Sequence, residues 1–452
     1  MSSVGSPGAP RLASLAGKSF AGSFATQLIG ATAGVLSARV LGPEGKGLLV
    51  VIVLWPGILA ALGGGLGLED AIAYFTARTP ERSGAILSTA TMLAGGQAML
   101  LTGLGWLVLP RLLPSVDVSV IQDARLYLTW IGLSYFTLTA MATLQGNLRF
   151  TALNLLRPVV VCGTLVGLAV LYLGQLVSVH AVVIVNLAAN VLALLVAWCF
   201  LFRKVRPGPP DARLLRPLLG FALKAQLGQI AAVANERLDL AVLSMMLASS
   251  QLGLYAAALS LSTIVRMFGS TFALVALPAL ARGRDQTSSS RDLGRLLRAT
   301  VCTSLLAALA VVIAAPVAVN VLFGTAFAAM VFPAQIVAVA MIVLNTCRVL
   351  GAGLKAAGLP AQSSVGDIVG AMATLALLLA LTPHLGLTGA AIAALASYLA
   401  TLLYLIWIAH RHLEMLPRTL LLPTRADFSW LHRLFLSGVG RPDSIAAEQL
   451  SQ

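Results

Sequence analysis

Runs of about twenty apolar residues follow one another along nearly the whole chain, and no other feature limits its fold so tightly. A helix rises 1.5 Å per residue, so roughly 20 residues cross a hydrocarbon layer about 30 Å thick. By that measure the expected spans are residues 19–40, 47–68, 84–110, 126–146, 153–175, 179–202, 217–248, 252–278, 297–321, 328–350, 363–382 and 386–409. Hydrocarbon offers the backbone no hydrogen-bond partner, so these runs are expected to be helices. The fold class is therefore all-α, a polytopic membrane protein of about twelve transmembrane helices. Composition agrees, since 58% hydrophobic and 10% charged residues in a chain of 452 cannot cover a soluble globule. The start, MSSVGSPGAP, has no basic segment ahead of a short apolar one, so the first span itself is expected to direct insertion.

A net charge of +14 would suggest nucleic acid in a soluble protein, but its placement follows the loops. With the N-terminus cytoplasmic, 21 of the 30 basic residues fall on inside segments, among them Arg78, Arg82, Arg203 to Arg216, Arg282 to Arg298 and Lys355. Outside loops hold only Arg39, Lys46, Arg111 and Arg125. That asymmetry expects both termini in the cytoplasm and no nucleic-acid partner. Cys162, Cys199, Cys302 and Cys347 have unrelated spacings and are expected to be small core residues, neither disulfides nor metal ligands.

Two matches point to an internal repeat. LSARVLGPEGKGLLVV from Leu36 lies over VLSMMLASSQLGLYAA from Val242 at an offset of 206, pairing Gly47 with Gly253. VHAVVIVNLAANVLALLVAWCFLFR from Val179 lies over LTGAAIAALASYLATLLYLIWIAHR from Leu387 at an offset of 208. Six helices plus six are expected, a plan in which the transport site lies between halves. Residues 1–202 form the first bundle, 203–216 a Pro/Gly-rich cytoplasmic linker, 217–409 the second bundle and 410–452 a cytoplasmic tail. ARGRDQTSSSRDLGRLLR reads as a long inside loop, and FSWLHRLFLSG in the tail as an interfacial helix or a disordered stretch.

Enzyme signatures are missing: the sequence contains no phosphate-cradling P-loop, HExxH or nucleophile elbow, and no cofactor is expected. Chemistry rests instead on ionisable residues inside spans, which cost roughly 2.5 to 3.5 kcal/mol at mid-bilayer and usually face a cavity or a partner. Arg157 and Arg348 lie near inner ends, where a snorkelling anchor is the leading reading. Lys224 divides evenly between anchor and cavity. Arg237 and Arg266 are deeper and favour the cavity. Glu236 and Asp239 share a face of the seventh span, and Asp239 falls at a depth where Arg266 on the eighth can pair with it. Lys224, Gly228, Ala231, Asn235 and Asp239 form a small or polar stripe matched by Ser19, Ser23, Gln27, Gly30, Gly34 and Ser37 on the first span. Such stripes serve close packing or a cleft. Asp367, Glu69 and Asp70 carry a minor functional expectation.

SARVLGPEGKG, the RLD of the seventh span followed by QLGLYAAALSLS, LFGTAF, LKAAGLP and HLGLTGAAIAALASY occur in that order between Ser19 and His410. In these pieces the chain resembles the polysaccharide and oligosaccharide flippase (Wzx-type) branch of the multidrug/oligosaccharidyl-lipid/polysaccharide exporter superfamily. The resemblance implies two six-helix bundles that alternate between inward-open and outward-open states in a bacterial cytoplasmic membrane. It implies a lipid-linked oligosaccharide on a polyprenyl diphosphate as substrate, with polysaccharide polymerase and glycosyltransferases as partners. On that reading Arg237, Arg266, Lys224 and Asn235 contact the diphosphate and glycan, while Asp239 and Glu236 couple transport to H+ or Na+. The alternatives are a cation-coupled multidrug exporter, which calls for an acidic and aromatic cavity, and a membrane glycosyltransferase or polymerase, which calls for a large catalytic loop.

Overall fold

The computed structural model describes residues 9–112, 117–281 and 286–413, with side chains outside 9–24, 66, 150, 227–236, 268, 270–271, 273–281 and 286–292. Among them run helices α1 (Ala9–Leu62), α2 (Gly65–Arg78), α3 (Ser83–Leu112), α4 (Val118–Tyr127), α5 (Thr129–Gly146) and α6 (Phe150–Leu173). There follow α7 (Val179–Phe202), α8 (Ala212–Met246), α9 (Ser249–Ala281), α10 (Gln286–Ala318), α11 (Val331–Ala356) and α12 (Pro360–Leu413). Seven helices among the described residues are long and apolar enough by themselves to cross a membrane.

Two of the helices are double. Gly42 adopts φ 71° and ψ 177° inside α1, a conformation open to glycine, and Pro43 then starts the next helix with no amide to satisfy. Gly386, at φ 55° and ψ −132°, divides α12 in the same way. With α1 and α12 each split, α2 continuing the second piece of α1, and α4 leading directly into α5, the expected twelve spans are present.

The junction between α1 and α2 is a discontinuous span. Gly64 turns the chain at φ 102°, and the carbonyls freed there find side-chain donors, as hydrocarbon requires. Tyr135 donates its hydroxyl to the Ala60 carbonyl at 2.7 Å. Gln226 donates Nε2 to the Ala61 carbonyl at 2.5 Å and accepts the Gly67 amide at 3.0 Å. One glutamine of α8 thus ties the second half to the break in the first.

Burial follows the membrane reading. Met99, Leu173, Leu195 and Leu403 project outward with 79%, 81%, 62% and 68% of their surface exposed, as a lipid-facing surface requires. Between helices the buried positions are often small, as at Ala38, Ala90, Ala94, Ala257, Ala258 and Ala338. Without a hydrophobic driving force inside a bilayer, such residues let helices approach closely enough for dispersion to hold them.

Several expectations change. Most of the stretch expected as a long loop before the ninth span is helix, because α10 begins at Gln286. The expected linker ends early: Asp211 caps α8 by accepting the Arg213 amide at 2.9 Å, so 212–216 is already its first turn. Asp211 also pairs with Arg82 at 2.6 Å. Of the cysteines, Cys302 and Cys347 are buried, whereas Cys162 and Cys199 are exposed on the outward faces of α6 and α7. The tail segment FSWLHRLFLSG and the first-span residues Ser19 and Ser23 lie outside the described residues and side chains.

At one end of the bundle the halves meet. The repeat-related Gly47 and Gly253 oppose each other so closely that a Cβ on Gly47 would stand 1.7 Å from the Ser249 carbonyl oxygen. A Cβ on Gly253 would stand 1.8 Å from that of Pro43. Nearby, Arg39 donates to the carbonyls of Val321 and Leu322 in the turn that ends α10, and Gly386 approaches Gln251. This seam joins the start of the second span to the start of the eighth.

Candidate functional site

Below the seam α8, α9, α11 and α12 enclose, with the second piece of α1, a partly open cavity of about 890 Å³. Among the described side chains, five basic ones line it, Lys46, Arg237, Arg266, Arg348 and Lys355, against two acids, Asp239 and Asp367. Ser260, Thr263, Ser363, Tyr398 and Thr401 add hydroxyls. Helix rise sets the depths: Arg237 sits about 14 Å before the seam end of α8, Arg266 about 25 Å into α9, and Arg348 and Lys355 about 26 and 36 Å into α11. The cations form a ladder from the seam to the opposite end of the bundle.

The sequence-derived candidates separate clearly. Arg237, Asp239 and Arg266 all stand on the cavity wall. Arg237 is exposed to the cavity, and its guanidinium lies against Gly57 of the first half, where a Cβ would come within 3.3 Å of one of its nitrogens. Asp239 is buried; its carboxylate accepts the Tyr255 hydroxyl at 3.2 Å and the Leu240 amide at 2.7 Å. Tyr398, on α12, lies within electrostatic range of Asp239, Arg266 and Arg348. Lys224 is exposed on α8 and is not part of the cavity lining. Asn235 and Glu236 belong to α8, but their side chains fall outside those described.

Three contributors escaped the sequence reading. Lys46, assigned to an outside loop, is only 8% exposed and donates to the Ser37 hydroxyl at 2.7 Å and the Gly34 carbonyl at 3.3 Å. The small stripe of the first span therefore holds a lysine. Arg348, read chiefly as a membrane anchor, and Lys355, assigned to an inside loop, both line the cavity. Charge counting by loop cannot detect them, because it records distance from a span's end and not the direction the helix face takes.

Comparison with known proteins gives the chain's relatives. The family described as polysaccharide biosynthesis protein matches residues 37–332. No curated protein matches the chain in sequence. Among solved structures, "Lipid II flippase MurJ, inward closed conformation" superposes with a TM-score of 0.74 at 13% identity, covering 86% of this chain and 87% of that one. An inward-facing multidrug resistance MATE family transporter of the MOP superfamily gives 0.72 at 16% identity, covering 85% and 94%. An outward-facing MATE transporter gives 0.59 at 17%, covering 87% and 96%.

Proposed function

The chain belongs to the polysaccharide biosynthesis protein family, a family of multi-pass membrane flippases rather than enzymes, and on that premise we propose that it moves a lipid-linked oligosaccharide on a polyprenyl diphosphate between leaflets. The observation that carries this reading is the cavity lining, in which the described side chains include five cations against two acids. A diphosphate cannot cross hydrocarbon unaided. Guanidinium groups stabilise it through charge-assisted hydrogen bonds, and their planar forks match phosphate oxygens. On this reading the basic end of the bundle and both termini are cytoplasmic and the seam faces outside, so that the cavity takes its substrate from the inner leaflet. Residues 1–202 and 217–409 then act as two bundles that rock about the cavity until the seam parts.

In this scheme Arg237 and Arg266 hold the diphosphate, Asn235 and the hydroxyl-bearing wall meet sugar, and Lys224 attracts headgroups near the surface. Asp239, poised between Tyr255 and the cations, exchanges H+ or Na+ with Glu236 in support. Any such coupling is reciprocal: the ion that favours one state alters substrate affinity by the same factor. A cation-coupled multidrug exporter is the rival reading, and an excess of basic lining side chains repels its substrates. The test is flipping of a fluorescent polyprenyl diphosphate in proteoliposomes. Arg237→Ala and Arg266→Ala are each expected to insert normally and to lower the rate at least tenfold; wild-type rates in both variants would remove the anion site. Export of an organic cation by the wild-type chain, with no diphosphate-lipid flipping, would establish the rival.

A further inference from the structure

Lys46 is the one charged cavity residue that the first half contributes among the described residues. Its ammonium is buried, and no carboxylate pairs with it there. The two oxygens it meets, the Ser37 hydroxyl and the Gly34 carbonyl, are neutral and belong to the helix piece before the Gly42 break. An ammonium has three protons to donate, so two such acceptors leave capacity for a third partner, and burial without a counter-charge is costly. That cost falls once an anion sits beside it.

Its position adds a second observation. Lys46 adjoins Gly47, whose contact with Ser249 and Gly253 closes the seam. Along the same helix, Gly57 accommodates the guanidinium of Arg237, about 16 Å of helix away. The two cations belong to opposite halves and stand at successive depths, Arg237 deeper in the cavity and Lys46 at the closed end.

Resting on the flippase reading above, we propose that Lys46 is the last anion station before the seam: it receives the phosphate-bearing headgroup after Arg237 and is the residue through which an arriving headgroup favours parting of Gly47 from Gly253. The first half thereby takes hold of a substrate that the second half loaded. The ligand class is a phosphate or diphosphate monoester on a lipid. Nothing covalent occurs, and the work is done by transfer of charge pairing from one cation to the next. A neutral side chain at this position leaves loading intact and slows delivery past the seam.

The experiment compares Lys46→Gln, Lys46→Arg and Ser37→Ala in the full-length chain. Binding is read with farnesyl diphosphate, and delivery with the fluorescent polyprenyl diphosphate in proteoliposomes. Lys46→Gln is expected to bind farnesyl diphosphate within about threefold of wild type yet flip at least tenfold more slowly. Lys46→Arg is expected to recover most of the rate, and Ser37→Ala, which keeps the charge, to lose no more than about threefold. A wild-type rate for Lys46→Gln overturns the proposal. So does an arginine variant as slow as the glutamine one, or a tenfold loss in Ser37→Ala, since either makes Lys46 a clamp across the Gly42 break. If Lys46→Gln fails to fold, the arginine and serine variants still decide. If the wild-type chain neither binds nor flips the diphosphate, the flippase reading fails first. If Arg237→Ala abolishes binding while Lys46→Gln flips normally, that reading stands and only the station at Lys46 is lost.

Discussion

Gly47→Ala is the sharpest mechanical test of the seam. A Cβ built there falls 1.7 Å from the Ser249 carbonyl oxygen and 3.0 Å from the Gly253 amide nitrogen. The obstacle is backbone, so no rotamer change relieves it. To restore ordinary contact the starts of the second and eighth spans must separate by about 1.5 to 2 Å. Inserting one methyl group into a well-packed contact costs about 1–3 kcal/mol. On the proposed alternation, in which only the closed seam contains that contact, the cost shifts the equilibrium toward the open state by a factor of roughly 5 to 150. The assay places a single cysteine at Ser260, on the cavity wall, in a chain whose four native cysteines are replaced. A membrane-impermeant maleimide is then added on the seam side only. Labelling should accelerate within that range in Gly47→Ala and again in Gly253→Ala. Gly103→Ala, with open space around its Cβ, should leave labelling unchanged. If both seam variants insert normally and label no faster than the parent, the paired glycines do not hold the cavity shut.

Other predictions follow from single contacts. Gln226→Leu leaves the Ala61 carbonyl and the Gly67 amide without their partner, so it should lower stability by about 1–3 kcal/mol, read as a fall in melting temperature of the purified protein. Tyr135→Phe, which removes only the donor to Ala60, should cost less than Gln226→Leu in the same measurement. Asp211→Ala removes the cap of α8 and the Arg82 pair, and should cost about 1 kcal/mol while leaving flipping unchanged; a loss of transport without a loss of stability would contradict that. Asp239→Asn should flip at a rate less dependent on an imposed ion gradient than the parent, and equal dependence would remove Asp239 from the coupling role.

The sequence pieces that resemble the flippase branch lie far apart in the chain, and the fold explains why they belong together. SARVLGPEGKG supplies Arg39, Lys46 and Gly47, while QLGLYAAALSLS supplies Gly253 and Tyr255. LFGTAF begins with Leu322, whose carbonyl Arg39 reaches together with that of Val321, and HLGLTGAAIAALASY brings Gly386 toward Gln251 and Tyr398 to the cavity. Four of the five pieces meet at the seam or on the wall beneath it. The fifth, LKAAGLP, places Lys355 toward the other end of that cavity. Proximity of this kind is invisible to spacing along the chain.

What the sequence by itself determined is the class of molecule. Span length and apolar content follow from bilayer thickness and the need to satisfy every backbone group, and both act locally, so the twelve spans and the offset of 206 between Gly47 and Gly253 are legible from letters alone. Arg237, Arg266 and Asp239 were legible as candidates because charge deep in an apolar run is rare whatever surrounds it. Only the tertiary structure decided which way other charges face. Lys46 turned from an expected loop into the cavity, Arg348 from an expected anchor to its wall, and Lys224 stayed outside the lining. The reason is rotational: a helix's direction is set by its own hydropathy, but the azimuth of each side chain is set by the neighbours it packs against, and those neighbours come from hundreds of residues away.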